Sequence, residues 1–122
     1  MVSIVVVSHS KQLAEGVVHL VRMTSKKVKI KAAGGLENGD YGTSIDTIRK
    51  AIDEVYSEDG VIVLVDIGSA IMTTEMAIEE RNDPKIILSK ASLVEGAFAA
   101  SIYAENELPI EDIINTISNE HK

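Results

Sequence analysis

Two runs of consecutive apolar residues, Ile4 to Val7 and Val61 to Val65, sit among segments of helical period and constrain the fold more than any other feature. A strand that is apolar at every position has no face for water, so both of its faces must be covered. Both runs fall far short of the roughly 18 apolar residues that a membrane helix needs. Around them the pattern alternates. Ser10 is placed to cap a helix carrying Leu13, Val17, Leu20 and Val21. Val28 to Ala32 alternates apolar residues with Lys and reads as a half-exposed edge strand. A Gly-rich stretch leads to Thr43 and Asp46, a capping-box-like pair opening a helix with Ile45, Ile48, Ile52 and Val55. After the third strand a helix runs through about Glu80, and Asn82-Asp83-Pro84 makes a turn. Ile86 to Leu88 is a fourth strand. Ser92 and Glu95 form a capping box for the next helix, and Pro109 takes the first position of a last helix striped by Ile110, Ile113, Ile114 and Ile117.

The order β-α-β-α-β-α-β-α-α predicts a three-layer α/β domain over residues 1–122. Its sheet is mostly parallel, in the order 2-1-3-4, with helices on both faces. At 122 residues, 45% apolar and 25% charged, the chain suits one soluble core. The absence of Cys excludes a disulfide framework, a Cys-ligated zinc site, an iron–sulfur cluster and thiol catalysis. A net charge of -7 argues against nucleic acid, and three Tyr and one Phe leave little for base stacking. The start Met-Val-Ser-Ile-Val-Val-Val has no basic leader and no small-residue cleavage site, so the expected location is cytoplasmic, without a membrane span.

In open parallel sheets ligands gather at the carboxyl ends of the strands where the order reverses. With strand 1 between strands 2 and 3, the residues leaving that point are Ser8-His9-Ser10 and Asp66-Ile67-Gly68-Ser69. A neutral imidazole is a competent nucleophile, and a carboxylate on one ring nitrogen fixes the tautomer and frees the other nitrogen to attack. Helix openings and hydroxyls can then hold phosphoryl oxygens. His9 is thus the candidate phosphoryl acceptor and donor, with Asp66 to orient it. Ser10, Thr43, Ser44, Gly68 and Ser69 are the candidate stabilisers of the phosphoryl group, and no metal ligand set is seen.

Other residues read more plainly. His19 and His121 read as surface residues, Gly16 as a close-packing position in its helix, and Met72 and Met76 as core or interface filler. Glu79-Glu80 reads as a solvated helix end and the tail from Asn119 as polar and frayed. Gly34 to Tyr41 has Walker spacing, but Asp40 and Tyr41 stand where Lys and Ser/Thr are needed. No dinucleotide fingerprint and no Gly-x-Ser-x-Gly elbow occurs. A phosphoryl group on His9 would therefore come from, and go to, partner proteins. A receiver-like signalling domain phosphorylated on Asp66 also fits the length and alternation. Its first strand, however, should end in an acidic pair for Mg²⁺.

Ile4-Val-Val-Val-Ser-His-Ser10 with Leu13-Ala-Glu-Gly16, Gly42-Thr-Ser44, Asp66-Ile-Gly-Ser-Ala70 with Met72 and Glu75, and Leu93-Val-Glu-Gly-Ala97 together resemble the IIA domains of the mannose class of the bacterial sugar phosphotransferase system. The stretch Ile67-Gly68-Ser69-Ala70 is more similar to the phosphotransferase subunits of dihydroxyacetone kinase than to the sugar-transporter IIA domains, which carry Gly-Gly-Ser there. The resemblance spans nearly the whole chain and implies a stand-alone IIA domain. It also implies that His9 accepts a phosphoryl group from phospho-HPr at Nε2 and that Asp66 orients the ring. The group then passes to ADP held with Mg on the DhaL subunit, and the ATP so formed serves DhaK. By the same resemblance the domain is expected to need no cofactor of its own and to pair as a homodimer. A transporter IIA domain, which would pass phosphate to a IIB domain, is the remaining alternative.

Overall fold

The computed structural model describes residues 1–121. In chain order the elements are β1 (Ser3–Ser8), α1 (Lys11–Val21), β2 (Ile30–Gly34), α2 (Ile45–Val55), β3 (Val61–Val65), α3 (Gly68–Arg81), β4 (Ile86–Ser89), α4 (Leu93–Glu105) and α5 (Ile110–Glu120). The four strands form one sheet in the order β2-β1-β3-β4, with every pairing parallel. Each residue of β1 and β3 is buried, as expected of the apolar runs at their centres, and burial extends to Ser3 and Ser8 at the ends of β1.

Alternate side chains divide the core in two. Ile4 and Val6 of β1 and Ile62 and Leu64 of β3 pack under α1, α4 and α5. Val5 and Val7 with Val61, Val63 and Val65 pack under α2 and α3 on the other face.

Several sequence expectations shift in detail. The second strand lies at the edge as expected but occupies Ile30–Gly34, two residues beyond the Lys-alternating stretch. The parallel register, Ile4 opposite Ile30 and Ser8 opposite Gly34, sets its place. Of the four apolar residues assigned to the stripe of α1, Val17 and Val21 are buried with Ala14, whereas Leu13 and Leu20 are exposed. Gly16 is no packing contact: a Cβ there would meet nothing within 4 Å. Met72 and Met76, expected as core or interface filler, lie outside the core, being 69% and 55% exposed.

The caps differ too. Ser44, not Thr43, caps α2, its hydroxyl accepting from the Thr47 amide at 3.3 Å. Ser92 stands at the N-cap of α4, but its side chain makes no hydrogen bond into the first turn. Pro109 is the N-cap of α5, one residue before the expected place. α5 continues through Glu120, so the tail from Asn119 is helical at its start. Among the described residues no helix is long and apolar enough to cross a membrane.

Candidate active site

The parallel register of the two central strands builds the site. Val7 of β1 lies opposite Val65 of β3, so the next residues, Ser8 and Asp66, leave the sheet side by side. The Asp66 carboxylate is met there by four donors. Oδ2 accepts from the Ser8 hydroxyl and from the His9 amide, each at 2.9 Å. Oδ1 accepts from the Ile67 amide at 2.8 Å and lies 3.0 Å from His9 Nδ1. Burial pushes this acid up, but the His9 amide and ring, the Ile67 amide and the Ser8 hydroxyl pull harder and leave it below its ordinary value. Asp66 is therefore ionised near neutral pH and can only accept.

That fixes the imidazole. Nδ1 must carry the proton it donates to Asp66, and in the neutral ring Nε2 keeps its lone pair. Nε2 lies 2.5 Å from Ser69 Oγ, so the Ser69 hydroxyl donates to it. The ring is 22% exposed, enough to be reached from outside while its inner edge stays anchored. With each Asp66 oxygen already accepting two bonds, the carboxylate is a poor nucleophile, which counts against phosphorylation on Asp66. Among the described residues no group of three or more His, Asp or Glu is placed to hold a metal ion.

Of the remaining candidates only Ser69 touches the imidazole; the others hold the neighbouring helix starts and loop. Ser10 caps α1, its hydroxyl accepting from the Leu13 amide at 3.2 Å. Gly68 and Ser69 open α3, ahead of its first backbone bond from the Ala70 amide to the Ile67 carbonyl. The opening of α3 has no side-chain cap and both residues are exposed, so no side chain of the N-cap satisfies these amides. The β2–α2 loop is tied in by the Gly42 amide, which donates to the His9 carbonyl at 2.9 Å. Gly42 has φ 141°, a backbone that favours glycine. The Thr43 hydroxyl donates to that of Thr73 of α3 at 3.1 Å, and the Ser44 hydroxyl caps α2 as an acceptor from the Thr47 amide.

Two participants escaped the sequence reading. Ser8 is fully buried and both donates to Asp66 and accepts from the Ser10 amide at 3.0 Å. A hydroxyl closing an otherwise apolar strand was the available signal. Thr73 joins Thr43 to the Ser69 turn, and nothing in its local sequence marks it. Gly34 supports the site from below: a Cβ there would lie 2.7 Å from the Ser10 carbonyl and 2.8 Å from the Lys11 Cα, so the start of α1 rests directly on β2.

A family model described as the PTS system fructose IIA component matches residues 3–117. The chain belongs to this IIA family. It is 38% identical over 110 residues to the phosphotransferase subunit DhaM of the PTS-dependent dihydroxyacetone kinase of Lactococcus lactis, covering 90% of this chain and 88% of that protein. It is 42% identical over 98 residues to the phosphoryl donor subunit DhaM of PEP-dependent dihydroxyacetone kinase 1 of Listeria innocua, covering 80% and 77%. The DhaM of Escherichia coli is 37% identical over 121 residues, and there the match covers 93% of this chain but 26% of the other. Among solved structures, a protein described as of unknown function superposes with a TM-score of 0.85 at 30% identity, covering 97% of this chain and 92% of that one. The phosphotransferase component EIIA of Streptococcus agalactiae shares the fold, with a TM-score of 0.71 at 19% identity and coverage of 98% and 94%.

Proposed function

We propose that this chain, as a single IIA domain over residues 1–122, is the phosphoryl donor subunit of a PEP-dependent dihydroxyacetone kinase and works by a relay on His9. The observation that carries the reading is the imidazole held at Nδ1 by an ionised Asp66 with Nε2 turned to the rim beside Ser69. Membership of the IIA family and several relatives named DhaM support it over a receiver domain or a sugar-transporter component.

The steps balance without a resident cofactor. The Nε2 lone pair attacks the phosphorus of phospho-HPr; a P–N bond forms on His9 as the P–N bond to the donor breaks. The ring then carries positive charge, which Asp66 offsets through the retained Nδ1 proton. Ser69 exchanges its bond to Nε2 for one to a phosphoryl oxygen. The Gly68 and Ser69 amides, with Ser10, Thr43 and Ser44 around the rim, meet the remaining oxygens. In the second step a terminal oxygen of ADP, held with Mg on DhaL, attacks the phosphorus and His9 leaves as the neutral imidazole. DhaK uses the ATP so formed. The reading places the chain in the cytoplasm as a homodimer, and sedimentation at micromolar concentration tests the dimer.

The deciding experiment is incubation with phosphoenolpyruvate, enzyme I and HPr, then mapping of the phosphorylated residue and addition of DhaL carrying ADP. His9 should be labelled and then discharged. His9→Ala should be folded and unlabelled, and full turnover by that variant would refute the relay.

A further inference from the structure

We infer that Ser69, His9 and Asp66 also serve as nucleophile, base and orienting acid, and that the unphosphorylated chain hydrolyses small activated carboxylic esters through an acyl group on Ser69. This activity goes beyond the relay and needs neither a phosphoryl donor nor an acceptor.

The three side chains stand in series from the sheet to the solvent. Asp66 Oδ1 lies 3.0 Å from His9 Nδ1, and His9 Nε2 lies 2.5 Å from Ser69 Oγ. The Asp66 side chain is 14% exposed and that of His9 22%, while Ser69 is exposed. The ionised acid holds the Nδ1 proton, so in the neutral ring Nε2 accepts and the Ser69 hydroxyl donates to it. For the relay this bond is an obstacle, since the Nε2 lone pair must be released before it can attack. For a serine nucleophile it is the activating contact, because the base already holds the proton it has to remove.

The turn that carries Ser69 is tied down. The Ala70 amide donates to the Ile67 carbonyl at 3.0 Å. The Thr73 hydroxyl lies 3.4 Å from the Ser69 carbonyl and accepts from the Thr43 hydroxyl at 3.1 Å. The Gly68 and Ser69 amides stand in the first turn of α3, where no N-cap side chain bonds them, and are the donors available to a carbonyl oxygen as it gains charge. Ile67, 62% exposed, offers apolar ground beside the turn for a short acyl chain. The sequence has no nucleophile elbow, but a triad of this kind is defined by the geometry and roles of its parts, not by a local motif.

The steps balance with water alone. Ser69 Oγ bonds to the ester carbon and its proton passes to His9 Nε2. The ring returns that proton to the leaving oxygen as the ester C–O bond breaks, which leaves acyl-Ser69 and a neutral imidazole. Water then gives a proton to Nε2 and bonds to the acyl carbon. The carboxylic acid leaves as Ser69 takes the proton back. Asp66 holds Nδ1 throughout and acts as a positioning residue. An exposed serine binds little of its substrate, so the ester must be small and carry a good leaving group.

The test uses the intact, unphosphorylated chain with p-nitrophenyl acetate as substrate and diisopropyl fluorophosphate as a covalent trap. Wild type should release p-nitrophenol with repeated turnover. Ser69→Ala and His9→Ala should each lose about a hundredfold or more of that rate, and Asp66→Asn about tenfold or more. The fluorophosphate should label Ser69 in wild type, with loss of fluoride, and leave it unlabelled in His9→Ala. Ser69→Ala should keep the wild-type melting temperature, since its side chain stands in solvent. A Ser69→Ala rate equal to wild type would mean that the ring alone attacks the ester, and the proposal would be overturned. A wild-type rate no greater than that of free imidazole at equal concentration, or a fluorophosphate adduct absent from Ser69, would overturn it too. A chain that fails in any of these ways while phospho-HPr still labels His9 loses the esterase and keeps the relay.

Discussion

The relay proposed on His9 turns on the Asp66 carboxylate. It takes four hydrogen bonds, and they hold its pKa below the ordinary 3.8 despite burial. A carboxyl with a depressed folded-state pKa stabilises the fold fully above its unfolded value, and that contribution is lost as pH falls through the folded value. Wild type should therefore exceed Asp66→Asn in stability by its full margin at pH 7 and by progressively less below about pH 4. Urea titrations at pH 7, 4 and 3 measure it, and a pH-independent difference would contradict the assignment. The same variant should slow phosphoryl transfer on the order of a hundredfold without abolishing it, because an amide N–H facing Nδ1 moves the ring proton to the attacking nitrogen. Ser8→Ala removes one donor from Asp66 and strands the Ser10 amide. Its expected cost is about 1–3 kcal/mol, read by the same titrations.

Elements were legible where burial dictated them. β1 and β3 could be read because a strand covered on both faces admits only apolar residues, and their order placed His9 and Asp66 together. The place of β2 was not, because an edge strand takes its register from β1 rather than from its own alternation. The helices misled where an exposed face carries apolar residues: Leu13, Leu20, Met72 and Met76 keep helical spacing yet lie outside the core. Thr43 and Ser44 are adjacent hydroxyls, either able to cap, and only the link from Thr43 to Thr73 separates their roles. Two glycines mark the same limit. Gly16 faces open space, so Gly16→Ala should raise stability by about 0.5–1 kcal/mol. Gly34 touches the backbone of α1 at Ser10 and Lys11, so Gly34→Ala should cost about 1–3 kcal/mol and misplace His9. Thermal melts of the two variants should move in opposite directions.

Across the whole molecule, the parts that hold the fold and the residues assigned to the proposed relay are separate. Two apolar clusters, one on each side of the sheet, lie beneath the strand ends, and His9 belongs to neither. Ile62 sits in the middle of β3, fully buried, paired with Ile4 and with Ile87 and packed among the residues under α1, α4 and α5. Ile62→Ala opens a cavity between layers that cannot close without moving a strand, and its expected cost is about 2–5 kcal/mol. His9→Ala removes a part-exposed ring whose loss leaves both clusters intact. It gives up the bonds to Asp66 Oδ1 and Ser69, which water can replace at the rim, so its cost should be under about 1 kcal/mol. The two variants should therefore dissociate completely: Ile62→Ala unfolds at lower urea yet its folded fraction labels at the wild-type rate, while His9→Ala keeps its midpoint and takes no phosphate. A His9→Ala midpoint as low as that of Ile62→Ala would mean that the ring is part of the core, and the division between scaffold and site would not hold.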